Sequence, residues 1–169
     1  KVVFKTGSTT FRLSIHYKNE SLDVFIDTLM YCLSFTSMLS SHDVKHVNIT
    51  YYLLDVKRVL DDDFIFDKEE VNGGACRLID DQCNITVWRK EEVLKVSIHE
   101  LIHCLGYDYK NDNSDIIKHY QQKYDVISSK MNTSEAYTEI WAELINIFLI
   151  VKLQNGNKHL FSKYIGVKT

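Results

Sequence analysis

The segment that most constrains the fold is EEVLKVSIHELIHCL at 91–105, which is apolar on nearly every side when drawn as a helix. Its apolar positions are Val93, Leu94, Val96, Ile98, Leu101, Ile102 and Leu105. A helix that is hydrophobic all round lies buried in a core, and a polar group buried there without a partner costs free energy. His99, Glu100 and His103 therefore need several hydrogen-bond partners, or one shared ligand, inside the fold.

These three residues form the pattern H-E-x-x-H. Side chains four apart project from one face of a helix, so His99 and His103 can bind one zinc ion at about 2.0 to 2.1 Å. Glu100 lies about 100° round the helix, where its carboxylate can take a proton from a metal-bound water. The pattern predicts one catalytic Zn²⁺, with Glu100 as the general base.

Two other interpretations of the motif stay open. The chain contains 7 histidines among its 169 residues, so the pattern can arise by chance on a helix that only folds. The chain can also keep the metal and act as a catalytically inactive interaction module. Glu100 argues against this second interpretation, since a structural zinc site needs no general base and usually fills all four positions with protein ligands.

The motif resembles that of the zincin metallopeptidases, whose branches differ in the third metal ligand. In the metzincin pattern H-E-x-x-H-x-x-G-x-x-H/D, Gly106 matches. Tyr109 stands where His or Asp is required, and Asp108 is one residue out of register. The metzincin pattern therefore fails at its ligand.

A later segment, SEAYTEIWAEL at 134–144, resembles the glutamate helix of the anthrax-lethal-factor-like group in the gluzincin branch. The resemblance implies that Glu139 is the third ligand and that Glu143, one turn on, accepts the free N–H of a ligand histidine. Glu135 lies near the start of this helix, and Asp108 and Glu143 are the next candidates for the ligand. The small size of the chain is also similar to that of the minigluzincins.

The family resemblance further implies peptide hydrolysis by a zinc-bound water, with a His or Tyr from between the two motifs to stabilise the oxyanion. The candidates are His119, Tyr120 and Tyr124, and the sequence does not choose among them. Whether the enzyme is an endopeptidase or an exopeptidase stays open. A peptide or protein is the expected substrate.

In zincins the substrate lies antiparallel along an edge strand that precedes the zinc helix, using backbone hydrogen bonds. That strand is expected within 73–78 or 84–88. Gly74 and Ala75 allow a close approach of the backbone, although Gly73 and Gly74 are equally typical of a turn.

The order of the elements predicts an α+β fold in one domain, residues 1–169, because no linker-like segment interrupts the chain. Strand-like segments with a hairpin around Gly7 and another around IDDQ at 79–82 come first, and helices dominate after Glu91. The resemblance implies two lobes, with a small mixed sheet and the active-site helix in an upper lobe of about 1–105. A helical lower lobe of about 106–169 carries the glutamate helix. A disulfide between Cys76 and Cys83 would fit the second hairpin.

Composition limits the partners. A formal net charge of -3 gives no broad basic field, so nucleic acid is not an expected partner. The longest apolar run, INIFLIV at 145–151, is far shorter than the roughly 20 residues of a membrane span. No basic leader followed by an apolar core opens the chain, and an intracellular location is slightly favoured over secretion. The oligomeric state stays open.

Overall fold

Five strands and five helices make up the part of the chain that the computed structural model describes, which is 1–18, 22–40, 44–54, 72–108, 114–128 and 131–166. The strands are β1 (Val2–Thr6), β2 (Thr9–His16), β3 (His46–Leu54), β4 (Gly74–Ile79) and β5 (Gln82–Arg89). The helices are α1 (Asp23–Met38), α2 (Val93–Cys104), α3 (Ser114–Tyr124), α4 (Thr133–Leu153) and α5 (Lys158–Tyr164). The predicted α+β class is confirmed.

The strands form one mixed sheet in the order β1-β2-β3-β5-β4. The two predicted hairpins are present, since β1 pairs antiparallel with β2 and β4 pairs antiparallel with β5. The pairs β2–β3 and β3–β5 are parallel. Gly7, with φ 57°, supplies the left-handed conformation in the first turn. Strand β4 therefore lies at one edge of the sheet, next to β5, which leads into α2.

The sheet buries one face, as the alternation of side chains requires. Phe11, Leu13, Ile49, Tyr51 and Ile85 are each at most 1% exposed and form the core with residues of α1 and α2. On the far side of these two helices, Ile98 and Ile102 pack with residues of α4. Helix α2 is thus enclosed by the sheet on one side and by α4 on the other, as its apolar sequence predicts.

Helix α2 ends in a glycine cap. Gly106 has φ 67°, its N–H donates to the carbonyl of His103 at 3.1 Å, and the N–H of Tyr107 donates to the carbonyl of Ile102 at 3.2 Å. This pair of bonds is the Schellman motif, which needs the left-handed conformation that glycine adopts without steric cost. The cap turns the chain away immediately after His103.

The cysteine pairing differs from the prediction. The sheet register places Cys76 opposite Ile85 and Leu78 opposite Cys83. Cys76 and Cys83 are therefore two residues away from being directly opposite each other. The structure joins Cys83 to Cys104 instead, with their Cα atoms 5.9 Å apart. Cys76 is free. The disulfide therefore ties β5 to the end of α2 rather than closing the hairpin.

The sequence also predicts an N-cap at Ser21 and an acidic loop at 61–63, and both lie outside the described residues. No described helix is long and apolar enough to cross a membrane.

We predict that Gly106→Ala lowers the free energy of unfolding by about 1 to 2 kcal/mol, the cost of the left-handed conformation for a residue with a Cβ. For a chain of this size the melting temperature should fall by roughly 2 to 8 °C. Thermal unfolding followed by circular dichroism measures the shift, with Lys118→Ala on the exposed face of α3 as the control. An unchanged melting temperature would show that alanine adopts the conformation of this cap without strain.

Candidate metal centre

Three donor atoms from two helices converge in the structure. The Nε2 atoms of His99 and His103, one turn apart on α2, lie 3.1 Å from each other. The Oε2 atom of Glu135, near the start of α4, lies 3.4 Å from Nε2 of His99 and 3.3 Å from Nε2 of His103. The three atoms form a nearly equilateral triangle.

The triangle has the size that a tetrahedral zinc site requires. Ligand bonds of about 2.0 to 2.1 Å in tetrahedral geometry place the ligand atoms roughly 3.3 Å from one another. Two imidazole nitrogens and one carboxylate oxygen are also a donor set that zinc accepts in catalytic sites. A zinc ion held by these three residues would keep a fourth ligand position for a water or a substrate.

The other ring nitrogens are fixed by carboxylates. Nδ1 of His103 lies 2.8 Å from Oδ2 of Asp108, and Nδ1 of His99 lies 3.0 Å from Oε2 of Glu139. A carboxylate can only accept here, so each Nδ1 carries the proton and donates it. Each Nε2 is then left with its lone pair, which points to the centre of the triangle.

A lysine completes the support of His99. The Nζ atom of Lys95 lies 2.5 Å from Oε1 of Glu139. Burial alone raises the pKa of Glu139, but the hydrogen bond and charge of Lys95, together with His99, outweigh it and hold that pKa below its usual value. Burial, reinforced by the charge of His103, lowers the pKa of His99, which favours the neutral imidazole that binds metal.

Glu100 is buried at the wall of the same site, with 8% of its surface exposed. Desolvation, reinforced by the charge of Glu135, raises the pKa of Glu100 to about 7, although His103 and a hydrogen bond from Cys76 act in the opposite direction. Burial and the neighbouring charge of Glu100 raise the pKa of the Cys76 thiol to about 12, so Cys76 stays protonated and donates. Glu100 is thus a buried carboxyl group whose proton affinity suits acid–base exchange near neutral pH.

Strand β4 approaches this carboxylate closely. A Cβ on Gly74 would lie 2.6 Å from Cγ1 of Val96 and 3.1 Å from Oε1 of Glu100. Gly73 and Gly74 form one wall of a cleft of about 420 Å³, and His99, Glu135 and Glu139 lie on its other sides. The absence of a side chain at Gly74 therefore gives space to Glu100 and to whatever occupies the cleft.

The structure brings some of the predicted site residues together. His99, Glu100 and Gly74 line this cleft, and His103 lies beside it, with its Nε2 3.3 Å from Oε2 of Glu135. Ala75 is exposed on the next position of β4, where the alternation of the strand turns it to the other face of the sheet.

On α4, the contacts with the histidines are made one turn earlier than predicted. Glu135, not Glu139, has a carboxylate oxygen beside both Nε2 atoms. Glu139 makes the contact with a histidine N–H that was expected of Glu143, and Glu143 is exposed. The packing of α4 explains this difference. Thr138, Ala142 and Leu149 are buried in the core and fix the position of α4 against α2. This packing places Glu135 beside both histidines. It places Glu139 between His99 and Lys95.

The candidates for the oxyanion group lie on α3. His119, Tyr120 and Tyr124 are exposed, and none of them lines the described part of the cleft. Helix α3 has no buried residue. Their role stays a prediction.

Sequence reasoning missed two supporting residues. Asp108 was named only as an alternative metal ligand, yet its position two residues after Gly106 allows the capped chain to fold back to Nδ1 of His103. Lys95 was overlooked, although it lies one turn before His99 on the same face of α2. Their spacing to the motif was the available signal in both cases.

Comparison with known proteins does not assign this chain to a family. No family model and no solved structure matches the chain. An uncharacterized protein of Acanthamoeba polyphaga mimivirus is 31% identical over 90 residues, which cover 50% of this chain and 22% of that relative. The chain thus spans about a fifth of the relative's length, and that protein has no stated activity.

We predict that the purified protein binds one equivalent of zinc and that Glu135→Ala abolishes stoichiometric binding. Glu139→Ala should retain zinc with an affinity reduced about 10- to 100-fold, the usual effect of losing a group that orients a ligand. Elemental analysis and competition with a chromophoric chelator measure both quantities.

The control for these variants is Glu143→Ala, which removes an exposed carboxylate from the same helix and should bind zinc like the parent. Full zinc occupancy in Glu135→Ala, combined with loss in Glu139→Ala, would return the third ligand to Glu139.

Proposed function

We propose that this chain is a zinc-dependent peptidase of the gluzincin type. The observation that carries the proposal is the triangle formed by Nε2 of His99, Nε2 of His103 and Oε2 of Glu135, with Glu100 buried beside it. In this proposal Glu135 replaces Glu139 as the third ligand. A single Zn²⁺ is the proposed cofactor.

The charge of the site supports a bound dication. Glu100, Glu135, Glu139 and Asp108 bring four carboxyl groups to the histidines, and Lys95 brings one ammonium group. Both Nε2 lone pairs face the carboxylate of Glu135 with no proton between them, because Nδ1 carries the proton in each ring. When both rings are neutral this arrangement is repulsive, and either a metal cation among the three atoms or a proton on one Nε2 removes the repulsion.

Glu100 is the proposed general base. A bound Zn²⁺ supplies a Lewis acid that polarises a carbonyl group and acidifies a water in the open position. Glu100 takes a proton from the attacking water while the water oxygen forms its bond to the carbonyl carbon. The same carboxyl group then gives this proton to the leaving amide nitrogen as the C–N bond breaks, so that Glu100 ends each cycle ionised.

Strand β4 is the proposed substrate strand. Of the two segments expected from the sequence, 84–88 belongs to β5, which is hydrogen-bonded to β3 and to β4 and has no free edge. The carbonyl of Gly73 accepts from Trp88 N–H at 3.1 Å, so alternate residues, Gly74 and Cys76, direct their backbone groups away from β5. In the described part of the chain β4 pairs only with β5, and its outer edge can add an extended peptide.

The proposed architecture places β4 and α2 above the cleft and α4 below it, as in a two-lobed zincin. Helices α2 and α4 support this arrangement by pairing Lys95 with Glu139, and His103 with Glu135, in antiparallel order. The alternative, a catalytically inactive module, needs neither a base beside the triangle nor an open edge strand.

Cleavage of a mixed peptide library, with and without a chelator, tests the activity. Glu100→Gln should retain zinc and the fold but lose about 10² to 10⁴ in rate, the scale of a positioned acid–base group. Mass spectrometry of the products gives the rates and shows whether cleavage is internal or terminal.

Glu143→Gln makes the same chemical change at an exposed position and should cleave like the parent. If Glu100→Gln cleaves as fast as the parent, Glu100 is not the base. If the zinc-loaded parent cleaves nothing, the inactive module is the better description.

A further inference from the structure

The face of the sheet that points away from the helices, here called the outer face, has an unusual charge. None of the five described strands contains an Asp or Glu, although the chain has 23 acidic residues. Lys5, Arg12 and Arg77 are exposed on strands β1, β2 and β4. The alternation of the strands turns all three to the outer face, because their neighbours in sequence point into the core.

One row of side chains crosses all five strands. The register aligns Val3 with Arg12, Arg12 with Asn48, Asn48 with Asn84, and Asn84 with Arg77. The Asn48 amide donates to Oδ1 of Asn84 at 3.1 Å. Arg12 and Arg77 are separated by three strand spacings, or about 14 Å. Neither arginine forms an ion pair with a carboxylate in the described part of the chain.

An aromatic pair lies further along the same face. The rings of His16 and Tyr52 stack with centroids 4.9 Å apart and an interplanar angle of 14°. Both side chains are exposed, and His16 is four residues beyond Arg12 on β2, or about 13 Å. A stacked, exposed pair presents a flat surface on which another planar ring can continue the stack.

The described helices leave this face uncovered. Helices α1 and α2 pack on the inner face, and α4 packs on their far side. Asp80 and Asp81 lie in the turn between β4 and β5, where Asp81 pairs with Lys45 at 3.3 Å. Asp55 follows β3 directly but lies outside the described residues. The positive charge of the outer face is therefore not neutralised by side chains of its own strands.

We propose that the outer face binds a single-stranded nucleic acid. Arg12, Arg77 and Lys5 contact phosphates, and unpaired bases stack on His16 and Tyr52. This combination of separated cations and an exposed ring stack is the chemistry that single strands need, whereas the base faces of a duplex are hidden. The net charge of -3 argues against nucleic acid only if charge is spread evenly, and here the acidic residues lie outside the strands. The site is independent of the metal centre, which lies on the other side of the sheet.

Fluorescence anisotropy with a labelled oligouridylate of about 12 nucleotides, at about 50 mM salt, tests the proposal. The full chain should bind saturably, with or without a chelator. The double variant Arg12→Gln/Arg77→Gln should raise the dissociation constant about tenfold or more. It should also make the slope of log K against log [salt] less steep by roughly 1.4, which is about 0.7 for each lost phosphate contact. Tyr52→Ala should raise the dissociation constant roughly 5- to 150-fold through lost stacking.

The matched control is Lys118→Gln/Lys123→Gln on α3, which removes the same charge from two exposed positions and should change the dissociation constant less than twofold. Thermal unfolding checks that every variant is folded. Absence of saturable binding by the parent, or equal effects of the two double variants, overturns the proposal. Binding of heparin but not of the oligonucleotide, lost in Arg12→Gln/Arg77→Gln, would also overturn it and assign the face to a polyanionic glycan.

Discussion

The burial of α2 on two sides is the constraint on which the rest of the structure depends. Its apolar residues contact the sheet on one side and α4 on the other, so its remaining face must receive the polar side chains of the helix. A buried imidazole or carboxyl group without partners would cost several times the net free energy of an ordinary hydrogen bond. The fold meets this cost by bringing Asp108, Glu135 and Glu139 to the two histidines.

These carboxylates create a second problem, which a cation would solve. Burial raises the pKa of Glu100, and the negative charge of Glu135 raises it further. Lys95 offsets one charge at Glu139. A dication at the centre of the triangle would offset two more and would favour the ionised form of Glu100, the form that accepts a proton. Burial, the triangle of donor atoms and the general-base role proposed for Glu100 thus fit one centre.

The sequence predicted those features of the fold that depend on residues a few positions apart. The helix at 91–105, its end at Gly106 and both hairpins follow from periodicity and turn residues, which act over a few positions. The contact between Glu135 and the histidines could not be predicted in this way. Glu135 and Glu139 lie on one face of α4, and only the packing of α4 against α2 determines which of them lies beside both histidines. The disulfide to Cys104 likewise depends on how far α2 lies from β5 in space.

Strand β4 links the two proposed surfaces. Gly74 lies at the cleft beside Glu100, and Arg77, three residues on, points to the opposite face of the same strand. A ligand on the outer face would therefore be separated from the metal centre by the thickness of the sheet and would leave the free edge of β4 open. The outer face was hidden in the sequence because an average charge carries no information about position. Only the register, which places Arg12, Asn48, Asn84 and Arg77 in one row, shows that cations from distant segments share a surface.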